Sequence, residues 1–179
     1  EYISEGLPWE KSEYSQNRLV AQFGSCRYDY VRDSVVKSSV SSPILSIPLI
    51  LRRLLLNVEV LEIAGCKDEV FDQCIVNVYE KGGVEIPWHI DDRAFGPVVL
   101  VYTFGEARPL QMRVLSGRAD NVIRETKENT SYVAHPGHCS CYVLSGKARE
   151  QWEHSVPPGN SWRVSITFRT LAVPQTESI

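Results

Sequence analysis

Arg163-Val164-Ser165-Ile166-Thr167-Phe168-Arg169 alternates without a break. In an extended chain successive side chains point to opposite faces, so Val164, Ile166 and Phe168 share one side and Arg163, Ser165, Thr167 and Arg169 the other. A period of two sustained this long reads as a strand. Working back from it, the same period recurs as far as Phe71, in the runs Cys74–Tyr79, Ile86–Asp91, Val98–Phe104, Leu110–Val114, Ser131–Ala134, Cys139–Leu144 and Glu150–His154. Turn chemistry separates them at Gly82-Gly83, Gly96-Pro97, Ser116-Gly117, Pro136-Gly137, Ser145-Gly146 and Pro157-Pro158-Gly159. About eight short strands with no long helix between them predict a two-sheet all-β body, a sandwich or jelly roll.

Upstream the period changes. Residues 1 to 42 are mixed in polarity and carry Arg18, Arg27, Tyr28, Tyr30 and Arg32. Ser46-Ile47-Pro48 then predicts a helix start, with Ser46 as cap and Pro48 in the first turn. Ile50, Leu51, Leu54, Leu55 and Val58 form its expected buried stripe, and the segment from Gly65 to Glu69 ends it. The expected class is therefore mainly β with a flanking helix (α+β), the helix packed outside one sheet.

The 179 residues, 43% of them hydrophobic, suit one core rather than two, so a single domain over 1–179 is expected. The apolar runs from Ile44 to Ile50, Leu54 to Leu56 and Val98 to Phe104 are too short to cross a bilayer. No basic start precedes an apolar stretch at the N-terminus, so no signal peptide is expected. The sequence opens on Glu1 rather than Met, as a piece of a longer chain would. Five scattered cysteines (Cys26, Cys66, Cys74, Cys139 and Cys141) read as reduced thiols of an intracellular protein, in cytoplasm or nucleus. A monomer without membrane association is expected. A net charge of −3 gives no bulk attraction to nucleic acid, so a polyanionic substrate would need a local basic patch.

Chemistry concentrates on few positions. His89 and Asp91, two apart on a strand, can aim at one point; alone, such a pair is more often a surface or structural feature. Two imidazoles and one carboxylate on one side of an ion, with positions left open, is the arrangement of non-haem Fe(II) oxygenases. His154 lies nine residues before Arg163, across the Pro157–Asn160 turn, and a hairpin would bring the two into one cavity. The polar face of residues 163–169 reads as a wet sheet surface. In a site that binds a dicarboxylate, Arg163 would instead grip one carboxylate with its planar fork. Asn77 and Tyr79, also two apart, can donate hydrogen bonds to such a ligand, or serve as a strand-edge amide and an interfacial aromatic.

Taken in order, Asn77-Val78-Tyr79, Gly82, His89-Ile90-Asp91, Leu144-Ser145-Gly146, Trp152-Glu153-His154 and the 163–169 strand resemble the AlkB family of dioxygenases. Weaker matches upstream are Arg18, Phe23-Gly24, Tyr28-Asp29-Tyr30 and Pro48 before the apolar helix. The resemblance implies a double-stranded β-helix over 71–171, with 1–70 as a helical part on the substrate side. It implies Fe(II) held by His89, Asp91 and His154. It implies 2-oxoglutarate held by Arg163, Asn77 and Tyr79, with Thr167 and Arg169 on the same strand face and Arg169 near Asp91. O2 is the third reactant. The expected activity is oxidative removal of alkyl groups from bases of methylated RNA or DNA, in single-stranded or flipped-out form, releasing formaldehyde, succinate and CO2. Asp92 is a base contact or a turn carboxylate paired with Arg93, where some repair members carry an acidic residue. The short link from His154 to Arg163 resembles eukaryotic and viral branches, several of which act on RNA.

Three other readings compete. The same iron site can serve a protein or small-molecule substrate, and stacking aromatics with basic residues at the cavity mouth would separate the two. Trp88, Trp152, Tyr102, Arg108 and Arg113 are candidates for that mouth, although Trp and Tyr in such strands usually pack in the core. His135-Pro136-Gly137-His138-Cys139-Ser140-Cys141 offers zinc donors for a non-catalytic module, on cramped spacing. An inactive scaffold is the third, against which stand the complete ligand set and Arg163.

Overall fold

The computed structural model describes residues 7–12, 15–32, 34–80, 84–114 and 131–172. Gly82 and the expected turns Gly82-Gly83 and Ser116-Gly117 lie outside these residues. β1 (Glu10–Ser12), β2 (Ser15–Gly24), β5 (Gln73–Tyr79), β7 (Phe95–Gly105), β10 (Ser140–Leu144) and β12 (Arg163–Leu171) form a six-stranded sheet in the order β1-β2-β5-β12-β7-β10. β6 (Ile86–His89), β8 (Leu110–Val114), β9 (Ser131–Ala134) and β11 (Trp152–Val156) form a four-stranded sheet in the order β6-β11-β8-β9. β3 (Cys26–Asp29) and β4 (Ser34–Lys37) make a separate ribbon. Pairing is antiparallel throughout, and the two sheets face each other as in a jelly roll.

β12 sits between β5 and β7, and both of its faces are buried because Ile47, Leu51 and Leu61 cover one and the four-stranded sheet lies over the other. Val164, Ile166 and Phe168 join Cys74, Val76, Leu100 and Tyr102 in a core on the outer side of the large sheet. Val99 and Val101 meet Leu110, Met112 and Val156 between the sheets. Leu100 has no exposed surface. Leu100→Ala is therefore expected to cost about 2–5 kcal/mol, read as a lower denaturant midpoint, because the packed strands around it cannot close the cavity.

The helical segment departs from expectation. It is not one helix but α1 (Leu49–Arg52), a 3-10 turn over Arg53–Leu56, and α2 (Val58–Ile63). Asn57 breaks the run: its backbone leaves helical values, and its side chain accepts the Val60 amide to start α2 afresh. Ser46 caps nothing, and Pro48 holds the N-cap position. Of the expected stripe, Leu51 is buried and Leu54 and Leu55 pack against the core, but Ile50 and Val58 are 65% and 62% exposed, and Ile47 and Leu61 cover the sheet in their place. Among the described residues no helix is long and apolar enough to cross a membrane.

The stretch before the helix is strand rather than helical. β2 registers against β5 from Arg18↔Tyr79 to Gly24↔Gln73 and extends the large sheet. The sequence signal was weak because β2 is buried on both sides (Val20, Ala21 and Phe23 together) and so lacks clean alternation. Smaller shifts matter more for the chemistry. The strand expected at Ile86–Asp91 ends at His89, and Glu150 belongs to a short helix, α3 (Gly146–Glu150), entered through Gly146 at φ 51°. Glycine adopts that conformation at no steric cost.

Candidate metal centre and co-substrate cavity

A cavity of about 530 Å³ opens between the sheets. One wall is the polar face of β12: Arg163, Ser165, Thr167 and Arg169, joined by Asn77 of β5. Arg163, Ser165 and Thr167 are 2%, 3% and 8% exposed. The wet-surface reading of this face is thereby excluded. The opposite wall carries His89, Asp91 and His154.

β6 and β11 are neighbours, and their register sets His89 directly across from His154. The ring centroids stand 4.2 Å apart. His89 Nδ1 lies 2.8 Å from the Pro87 carbonyl oxygen. That oxygen can only accept, so Nδ1 is the donor and Nε2 is the nitrogen left to face an ion. Burial, then the neighbouring His89, pushes His154 down to about 4 against the pull of Asp91, so His154 is a neutral lone-pair donor at pH 7. Burial opposes ionisation of Asp91, but the Arg169 guanidinium foremost holds its carboxyl below the ordinary carboxylate range. Arg169 Nη2 donates to Asp91 Oδ1 at 2.7 Å.

Asp91 does not share a strand with His89, as the spacing suggested. It lies in the loop after β6, and its backbone is held from elsewhere. Among the described residues no three His, Cys, Asp or Glu side chains converge tightly enough to enclose an ion as they stand. The Asp91 carboxylate is turned toward Arg169 through one oxygen. Two imidazoles and one carboxylate nevertheless match the donor set of a non-haem Fe(II) site, and the residues fit that ion.

The far end of the cavity is suited to an anion. Arg163 pairs across the sheet with Tyr79, and both are fully buried. Among the described residues Arg163 Nη1 and the Tyr79 hydroxyl have no hydrogen-bond partner. Among the described residues Arg163 makes no ion pair. Buried donors left unmade are costly, and a carboxylate would satisfy both. Arg163 and Arg108 approach the Tyr79 ring at 5.3 and 5.2 Å. The residues fit a dicarboxylate.

β11 and β12 are not a hairpin. They lie in different sheets, and His154 and Arg163 reach one cavity because the sheets face each other. The Pro157-Pro158 step suits a crossing between sheets, since proline offers no ladder donor. Asp92 lines the cavity, its Oδ1 accepts the Ala94 amide at 2.7 Å, and it forms no ion pair with Arg93. Trp88 is not on the cavity wall. It sits one residue from His89 and therefore on the opposite face of β6, under Arg113 at 4.2 Å. Arg108 is likewise off the wall, 3% exposed and bonded to Glu106 and to the Val84 and Ser161 carbonyls. Tyr102 and Trp152 pack in the two cores, so these aromatics follow the bland reading. Cys139 lies 3.1 Å from His138 Nε2 and is exposed, while Cys141 packs against the outer core, so the two cysteines do not share a site.

The sequence reading missed several residues. Tyr142 lines the cavity as a neutral phenol, pushed up to about 12 by burial; its alternation with Leu144 was a usable signal. Gln22 pins the ribbon by accepting the Tyr28 amide at 2.7 Å and donating to the Tyr28 carbonyl at 2.9 Å. Arg149 of α3 grips the loop that carries Asp91, and nothing local announces it.

Comparison with curated proteins yields no match. A family model described as the 2OG-Fe(II) oxygenase superfamily matches residues 2–169. That span holds the facing sheets, the imidazole–carboxylate wall and the buried arginine, and members use Fe(II), 2-oxoglutarate and O2. The chain belongs to the 2OG-Fe(II) oxygenase superfamily.

Proposed function

We propose that this chain oxidatively demethylates an N-alkylated nucleobase in RNA or DNA, as an AlkB-type member of its superfamily. In this reading His89, Asp91 and His154 hold the iron, and Arg163 with Tyr79 holds the distal carboxylate of 2-oxoglutarate. Asn77 and Thr167 line the path between them. The observation that carries the substrate class is an aromatic group beside Asp91. Tyr28 and Tyr30 of the ribbon segment and Phe95 of β7 all line the cavity. Tyr28 meets Tyr30 edge-on at 5.1 Å and Phe95 at 6.2 Å, and Arg169 lies over Phe95 at 4.7 Å. Flat π-faces beside a metal site suit an unstacked base, which binds by stacking and polar contacts at its edge. Arg18 on the same wall adds local positive charge that the net charge lacks.

When bound, the iron and its co-substrate supply oxidising power: O2 and 2-oxoglutarate become succinate and CO2, and one oxygen atom enters the N-methyl C–H bond. The hydroxymethyl group then leaves as formaldehyde, returning a proton to the base nitrogen. The chain's own work is positional. His89 and His154 present ring nitrogens, Arg169 keeps Asp91 ionised, and the two sheets keep bulk water from the inner end.

The test is formaldehyde release from methylated single-stranded RNA and DNA oligomers by iron-loaded protein with 2-oxoglutarate. Release from one methylated base is expected. Succinate without formaldehyde from any oligomer would move the substrate to a protein or small molecule.

A further inference from the structure

Three carbonyl oxygens converge on one buried arginine. Arg149, 4% exposed, donates from Nη1 to the Asp91 carbonyl at 2.9 Å and from Nη2 to those of Asp92 and Phe95 at 2.7 and 3.1 Å. It forms no ion pair among the described residues. Burying a guanidinium without a carboxylate is costly unless its hydrogen bonds do something for the fold or the site. Those three carbonyls belong to the segment that leaves β6 after His89 and enters β7 at Phe95. Besides Arg149, the backbone of the segment is held where Asp92 Oδ1 accepts the Ala94 amide, the Asp92 carbonyl accepts the Phe95 amide at 3.1 Å and the Ala94 carbonyl accepts the Ala172 amide at 2.9 Å. None of these three contacts reaches Asp91. Converging carbonyl dipoles repel one another, and the planar fork of an arginine neutralises them while fixing their directions.

We infer that Arg149 is a positioning residue for the metal site, fixing the backbone of Asp91 through its carbonyl so that the carboxylate is presented beside His89 and His154. Asp91 is then held at two ends by two arginines: Arg149 on the backbone and Arg169 on the carboxylate. α3 is the element that brings Arg149 in, and it leads directly into β11, which carries His154. One short helix therefore ties the placement of one expected ligand to the strand bearing another. The inference rests on Asp91 being an iron ligand and is independent of the substrate.

The experiment is titration of the full chain, freed of metal, with Co(II), following the visible d–d absorption, alongside thermal melting without metal. Arg149→Gln is expected to bind Co(II) roughly 10–100-fold more weakly and with an altered band, the range found when groups that orient metal ligands are removed. Arg149→Lys keeps the charge but not the fork, and is expected to fall between Gln and the unaltered protein. A lower melting temperature with unchanged affinity and band would make Arg149 purely structural and overturn the inference. Should Arg149→Gln fail to fold, unchanged affinity and band in Arg149→Lys would overturn it equally. His89→Ala is the control: if that variant still binds Co(II) as the unaltered protein does, the ligand assignment itself falls, and the inference with it.

Discussion

His89→Ala is expected to lose iron-dependent turnover to background while melting within a few degrees of the unaltered protein. The contrast between the two readouts is what the structure adds. His89 is only half-buried, and among the described residues its side chain hydrogen-bonds to the nearby Pro87 carbonyl. Its removal leaves no buried charge behind. Asp91→Ala would lose turnover too, yet it would strip Arg169 of its carboxylate at 2.7 Å and leave that half-buried cation unpaired. A stability loss should accompany it, because breaking one partner of a buried pair leaves an uncompensated charge. His89 is accordingly the cleaner probe. Removing a metal ligand should exceed the roughly 10–100-fold effects seen for groups that merely orient one. Succinate formation against iron concentration measures it, and full activity in His89→Ala would remove His89 from the metal site.

Arg163→Ala is expected to raise the apparent Kd for 2-oxoglutarate by about 100-fold while leaving metal affinity nearly unchanged. Arg163 is 2% exposed, makes no ion pair among the described residues, and has Nη1 without a partner beside the unpartnered Tyr79 hydroxyl. A hydrogen bond to a charged group contributes about 1.5–3 kcal/mol, and each 1.4 kcal/mol is about tenfold in affinity. Arg163→Lys should recover part of the loss, since it keeps the charge but cannot present two parallel donors. Thermal shift provides a second readout: a ligand that binds only the folded state stabilises it by about 2.7 kcal/mol at 100 times its Kd. That stabilisation should vanish in Arg163→Ala. An unchanged co-substrate affinity would place the anchor elsewhere.

Much of the body was legible in local patterns. Leu110–Val114 and Ser131–Ala134 appear with the bounds their alternation suggested, and β5, β7, β10 and β12 differ at their ends only. β2 was not legible, because its Leu19-Val20-Ala21 run is apolar on both faces without alternating. The helix was overextended because its apolar residues continue past Asn57, and only the Asn57 side chain at the Val60 amide decides where α2 starts.

At the site, sequence alone picked out the groups proposed to carry the chemistry. Two imidazoles, a carboxylate, and an arginine in strict alternation with Val164, Ile166 and Phe168 are covalent facts, and side-chain period follows from backbone geometry. Tertiary structure decided where those groups face and what holds them. The polar side of β12 could have met water or a cavity, and the opposing four-stranded sheet made it a cavity. His154 and Arg163 meet through the facing of two sheets, not through a hairpin. Asp91 is held by Arg149, which lies 58 positions away along the chain, and by Arg169, 78 positions away. Contacts of that span form only when packing of the whole core repays the entropy of closing such loops, so no local stretch of sequence encodes them.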